Sequence, residues 1–264
     1  MKMMRIQSLS RLLAAAALCA AGSAGATTWT FTGSTLEQPA GFGAAQSTVG
    51  PVTATATAWA NTANGSGGSN TVLASAYLTP QGTSGVGAKH ADSESTNSPQ
   101  HAIDNDGRQE SILFSFAGDK VNLTSSYFGW ISGDSDFSVY AYTGAGVGSV
   151  AGLTYGNLTS NGWTLISQSN EASQSNNNGD SKDFANSIYS SYWLIGAYNG
   201  AGADSTYDYF KLKTVSGLTC TDNPGGSGCG GGGGNNPVPE PGTMLLLGAG
   251  LLGLTRMTSR RPAV

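Results

Sequence analysis

Charge is scarce in this chain: only 11% of its 264 residues are Asp, Glu, Lys or Arg. Of the 12 Lys and Arg, only Lys89, Arg108, Lys120, Lys182, Lys211 and Lys213 lie between residues 27 and 238, whereas all of the 16 Asp and Glu except Glu240 lie there. That central region is acidic and lacks the clustered cations that a phosphate backbone requires, which excludes a nucleic-acid partner. Histidine is scarcer still, with His90 and His101 alone. No GxSxG elbow, HExxH pair, P-loop or dinucleotide fingerprint occurs, so the common nucleophile, zinc and nucleotide chemistries have nothing in the sequence to rest on. There are 3 cysteines, Cys19, Cys220 and Cys229. No apolar run approaches the roughly 20 residues of an ordinary membrane span.

What is present begins at the two ends. Lys2, Arg5 and Arg11 form a basic segment, residues 12–21 an apolar one, and Ala24-Gly25-Ala26 a small-residue cleavage site. Together they read as a secretory signal peptide handled by the translocon and signal peptidase, with the mature chain starting at Thr27. Cys19 does not make this a lipoprotein signal, because the bulky Leu18 before it spoils the required small-residue pattern.

At the other end Pro239-Glu240-Pro241 precedes an apolar run over residues 242–254, followed by Arg256, Arg260 and Arg261. As a short hydrophobic helix of about 13 residues the run reaches about 20 Å, less than the roughly 30 Å hydrocarbon core. The arginines on its far side hold that end in the cytoplasm and the preceding chain outside. A weak single-span anchor is one reading. The three-part pattern resembles the PEP-CTERM sorting signal of Gram-negative bacteria that make exopolysaccharide. The resemblance implies recognition by an exosortase, a membrane cysteine protease, with removal of the tail near Pro239, Glu240 and Pro241. Transient inner-membrane association and then a cell-surface or extracellular location follow. One departure is Met257-Thr258-Ser259, which parts Arg256 from Arg260 and Arg261.

Between the signals lie about 210 residues, one domain by size. Residues 52–60 alternate with period two, and Phe137, Val139 and Ala141 share one face of residues 137–142. Further strands are predicted at residues 29–32, 72–79, 111–116, 127–132, 163–169, 192–197 and 207–215, separated by Gly, Asn, Ser, Asp and Pro clusters. The expected fold is all-β, an antiparallel β-sandwich or jelly-roll-like domain over residues 27–216. Residues 170–183 read as an exposed polar loop, and residues 217–238, with the run Gly230 to Gly234, as a flexible linker before the sorting signal at 239–264. Cys220 and Cys229 fall in that linker. In an oxidising compartment they are expected to close a small disulfide loop, since their spacing does not suit a metal clip and a reactive thiol is the weaker reading.

Two acidic clusters carry the remaining chemistry. Asp134-Ser135-Asp136, and Asp104-Asn105-Asp106-Gly107 with Glu110, could pair acids for glycoside hydrolysis, could fix turns, or, in the second case, could offer Asp104, Asn105, Asp106 and Glu110 as hard oxygen ligands to calcium. Residues 98–142, which hold both, also resemble a group of exosortase-dependent surface proteins; that resemblance brings no activity with it. The preferred expectation is a non-enzymatic surface or extracellular-matrix protein associated with exopolysaccharide or biofilm, with no cofactor beyond the calcium reading. The alternative is a secreted carbohydrate-binding or weakly carbohydrate-active protein whose Trp59, Trp130, Trp163 or Trp193 stacks on sugar rings, although aromatic residues in strands more often fill a core.

Overall fold

A computed structural model describes residues 25–33, 41–61, 71–91, 99, 101–169, 179–197 and 206–229. Among the described residues thirteen strands follow one another: β1 (Thr27–Thr30), β2 (Ala45–Val49), β3 (Val52–Asn61), β4 (Leu73–Pro80), β5 (Val86–Lys89), β6 (Ile103–Asp104), β7 (Glu110–Ala117), β8 (Val121–Ile131), β9 (Phe137–Tyr142), β10 (Trp163–Ser169), β11 (Asp180–Asp183), β12 (Tyr192–Ala197) and β13 (Tyr209–Thr219). Their order is β10-β9-β12-β7-β3-β4-β5-β13-β8-β11, with β2 added on β3 and with β1 and β6 added on β13. Every named ladder is antiparallel.

The sheet curls because β4 belongs to both of its halves. Leu73 to Ala76 pair with β3, and Tyr77 to Pro80 pair with β5. The halves then face each other across one apolar core. Trp29 of β1 meets Phe116 of β7 at 5.0 Å between ring centroids, and Phe128 of β8 meets Phe137 of β9 at 5.5 Å. The alternation read in residues 52–60 is the inner face of β3: Val52, Ala54, Ala56, Ala58 and Ala60 are buried and the residues between them are half-buried. Their small size leaves the room that Trp29 and the facing phenylalanines fill.

The alternation read in residues 137–142 has a different outcome. Phe137, Val139 and Ala141 do face the core, yet Ser138 and Tyr140 on the opposite side are buried too. Residues 143–162 fold back over that outer face, and Val150 and Leu158 form a second apolar cluster with Leu73, Leu113, Tyr140, Trp163 and Leu194. β7, β9 and β12 are thus covered on both sides, and near-continuous burial replaces alternation.

Two expectations need correction. Of the loop expected over residues 170–183, residues 170–178 lie outside the described residues and Asp180–Asp183 is strand β11, paired with β8; Lys182 is buried there beside Asp180, at 3.0 Å, with the Phe128 ring 5.9 Å from its ammonium. A polar strand can hold a sheet edge by backbone hydrogen bonds alone. The domain boundary after residue 216 also moves, because β13 runs to Thr219 and residues 220–229 fold onto the domain. Cys220 N–H donates to Lys120 O at 3.0 Å, Thr221 N–H to Asp119 Oδ2 at 2.7 Å, and Tyr189 N–H to Ser227 O at 3.0 Å. Cys220 and Cys229 are joined by a disulfide, with Cα atoms 5.4 Å apart.

Candidate functional site

At the end of β13 farthest from the disulfide, three connections converge. The chain turning from β8 to β9 supplies Asp134, Ser135 and Asp136, the residue after β6 is Asn105, and Asp208 directly precedes β13. Asp134 and Asp208 form an isolated parallel bridge, Tyr209 N–H donates to Asp134 O at 3.0 Å, and Ser132 N–H donates to Tyr209 O at 3.0 Å. These backbone bonds set the acidic turn beside the start of the strand.

The side chains complete the arrangement. Asn105 Nδ2 donates to Asp208 Oδ2 at 2.6 Å while Asp208 N–H donates to Asn105 Oδ1 at 2.9 Å, a reciprocal pair. The other oxygen of Asp208 accepts from Asp136 N–H at 2.8 Å. Ser135 N–H donates to Asp134 Oδ1 of the preceding residue at 2.7 Å. Asp134, Asp136 and Asp208 are each 2% exposed or less, and one carboxylate oxygen from each lies within 4.8 Å of the others. Such oxygens are the ligands a calcium ion takes.

The four residues predicted from sequence to hold calcium do not converge in this way. Asp104 Oδ1 accepts from Asp106 N–H at 3.0 Å, which is a turn bond. Asp106 Oδ2 accepts from the Tyr209 hydroxyl at 2.8 Å, and burial together with that bond pushes the Tyr209 phenol above the usual tyrosine range. Asn105 turns to Asp208 instead. Glu110 opens β7, fully buried, close enough to Tyr155 to help raise its phenol. Among the described residues the converging carboxylates are therefore Asp134, Asp136 and Asp208. Asp208 was missed because nothing local marks it; only the long-range pairing of β13 with the β8–β9 turn reveals it.

The tryptophans divide. Trp163 and Trp193 are 2% and 0% exposed, so both are core residues and neither can stack on a sugar. Trp59 and Trp130 are half-buried, and the Lys211 ammonium sits 4.4 Å from the centre of the Trp130 ring. His90 and His101 are both buried.

Pro239, Glu240, Pro241, Arg256, Arg260 and Arg261, and nearly all of the signal peptide, lie outside the described residues. Their assignment comes from comparison: residues 237–261 match the PEP-CTERM protein-sorting motif. The chain carries that motif, which marks it for export and for recognition by an exosortase. No curated protein and no solved structure matches the chain.

Proposed function

We propose that this is a non-enzymatic surface or matrix protein: an antiparallel sandwich that is exported, held briefly in the inner membrane by its C-terminal helix, processed by an exosortase near Pro239-Glu240-Pro241, and then associated with extracellular polysaccharide. The observation that carries the reading is the sorting motif over residues 237–261. The fold supports it by its polarity. β1 and β13 are antiparallel, so the segment after the signal-peptide cut and the segment before the sorting tail occupy the same end of the domain. The acidic turn lies at the other end of the 11-residue β13, roughly 35 Å away at about 3.3 Å per residue.

The test is the intact mass of protein recovered from the culture and from the membrane. A C-terminus near residue 239 is expected, and replacement of Pro239, Glu240 and Pro241 by alanine should accumulate a full-length membrane form. Mature protein that still carries Arg260 and Arg261, or unchanged release of the alanine variant, would overturn the assignment.

The calcium reading moves with the geometry. We assign it to Asp134, Asp136 and Asp208, favoured by the approach of three carboxylate oxygens within 4.8 Å. Millimolar calcium should raise the melting temperature by mass action in the wild type and in Asp104→Asn, and should not do so in Asp136→Asn. Equal melts in calcium and chelator would remove the metal from the account.

A further inference from the structure

Beside the disulfide loop lies a cleft of about 480 Å³, walled by Tyr142, Tyr189, Tyr192, Lys120, Ser227 and Gly228. The loop forms one wall, and Lys120 Nζ spans to it, donating to Gly228 O at 2.7 Å. We infer that this cleft binds the chain's own Pro237-Val238-Pro239-Glu240-Pro241 segment, so that the domain covers its sorting motif in cis.

Three observations point to that occupant. The first is reach. The described chain leaves at Cys229, the residue after Gly228, and Pro237 follows eight residues later, across a Gly- and Asn-rich stretch. Eight residues reach at most about 26 Å, far enough to bring the segment onto a cleft whose wall includes Gly228.

The second is the chemistry of the walls. Two of the tyrosine hydroxyls at the cleft are engaged within the protein: that of Tyr142 donates to Ala145 O at 2.8 Å, and that of Tyr189 accepts from Asn223 Nδ2 at 2.8 Å. Ser190 Oγ accepts from Tyr192 N–H at 3.0 Å and lies 2.7 Å from Tyr142 O. A saccharide needs many uncommitted donors and acceptors. A proline-rich ligand needs mainly aromatic walls, and the polyproline form that prolines favour docks on them at little entropic cost.

The third is charge. Glu240 is the one acid of the tail, and Lys120, an exposed lysine on an acidic domain, borders the cleft. Docking of the prolines brings the two within reach of each other.

The inference rests on the tail sequence and not on its processing, so it can be tested with no exosortase present. Full-length chain in detergent, disulfide intact, is treated with a zero-length carbodiimide, and the amide-linked peptides are mapped. A mixture of isotopically light and heavy chains separates cis from trans. The expected product joins Glu240 to Lys120 within one chain, and it should fall several-fold when Pro237 and Pro239 are both replaced by glycine, a change outside the folded domain that leaves its melt unchanged. Links from Glu240 spread evenly over Lys89, Lys120 and Lys213, links between light and heavy chains, or an undiminished Lys120 link in the glycine variant would each overturn the inference.

Discussion

Thr27, the first residue of β1, stands opposite Gly217, two residues before the end of β13. On the other side of β13 the same glycine faces Leu123 of β8, at a point where the register shifts. A Cβ on Gly217 would lie 2.2 Å from Asn122 O, so the three strands come together here only because the side chain is absent.

Gly217→Ala should therefore cost stability, because the obstacle is backbone and cannot swing away. About 1–3 kcal/mol is the usual scale of such overpacking. Gly225→Ala is the control, since nothing lies within 4 Å of its Cβ position. Urea midpoints that do not differ between the two variants would show that β13 is not pressed against β8 at this rung.

The Cys220–Cys229 bond should matter more than a bridge within a free linker. Cys220 follows β13 directly, and the loop it closes is hydrogen-bonded to Lys120, Asp119 and Tyr189. A closed loop of this length removes about 2–3 kcal/mol of unfolded-chain entropy. Cys220→Ser should lower the unfolding free energy by about that amount. A difference under about 0.5 kcal/mol would mean that the loop contributes nothing to the folded domain.

Asp208 joins two connections through its side chain. Asp208→Ala removes the acceptor of Asn105 Nδ2 and of Asp136 N–H. Loss of the acceptor at the buried Asp136 N–H costs about 1–3 kcal/mol, and at the half-buried Asn105 amide less. Ser149→Ala, on an exposed loop, should be near neutral by comparison. Chemical denaturation of both variants checks the difference, and a neutral Asp208→Ala would detach this residue from the stability of the acidic end.

Alkaline stability should depend on Tyr155. Burial is the main cause of its raised phenol pKa; the nearby Glu110 and Tyr140 add to it, and the Ser111 hydrogen bond opposes it. The folded state then keeps its proton where the unfolded chain has lost it. The resulting stability is fully present below about pH 10, the ordinary tyrosine value, and is lost as the pH rises above it. Tyr155→Phe should flatten the stability profile above about pH 10. At neutral pH the variant should lose about 1 kcal/mol, since the hydroxyl lies 2.9 Å from Ser111 Oγ and 3.2 Å from Gln109 O. Parallel profiles for the two proteins would place the alkaline loss elsewhere.

Strands with a strong local signature were legible in the sequence. Residues 137–142, 163–169 and 192–197 match β9, β10 and β12, and the alternation of residues 52–60 places the inner face of β3. The strands β2, β5, β6 and β11 were not legible. They are short or polar: β2 and β5 close hairpins with the adjacent β3 and β4, while β6 and β11 are held by β13 and β8, partners far along the chain. The glycines and prolines after Ser216 suggested a linker, and the composition alone could not register that Asp119, Lys120 and Tyr189 bind the first part of it. At the acidic end Asp134 and Asp136 were visible as a cluster. Asp208 is 72 residues beyond Asp136, and only the hydrogen bond between them brings it in.

The disulfide also decides how the domain bears load. Tension arriving at Cys229 crosses to Cys220 through the sulfur bond, so residues 221–228 carry none of it. The force enters at the tip of β13, where Thr219 faces Val121, and runs along a strand bonded to β8 on one side and to β1 on the other. A pull along that axis shears many rungs together. The end that leads to the tail is thus mechanically the stiff end of the molecule, a fitting rather than a hinge.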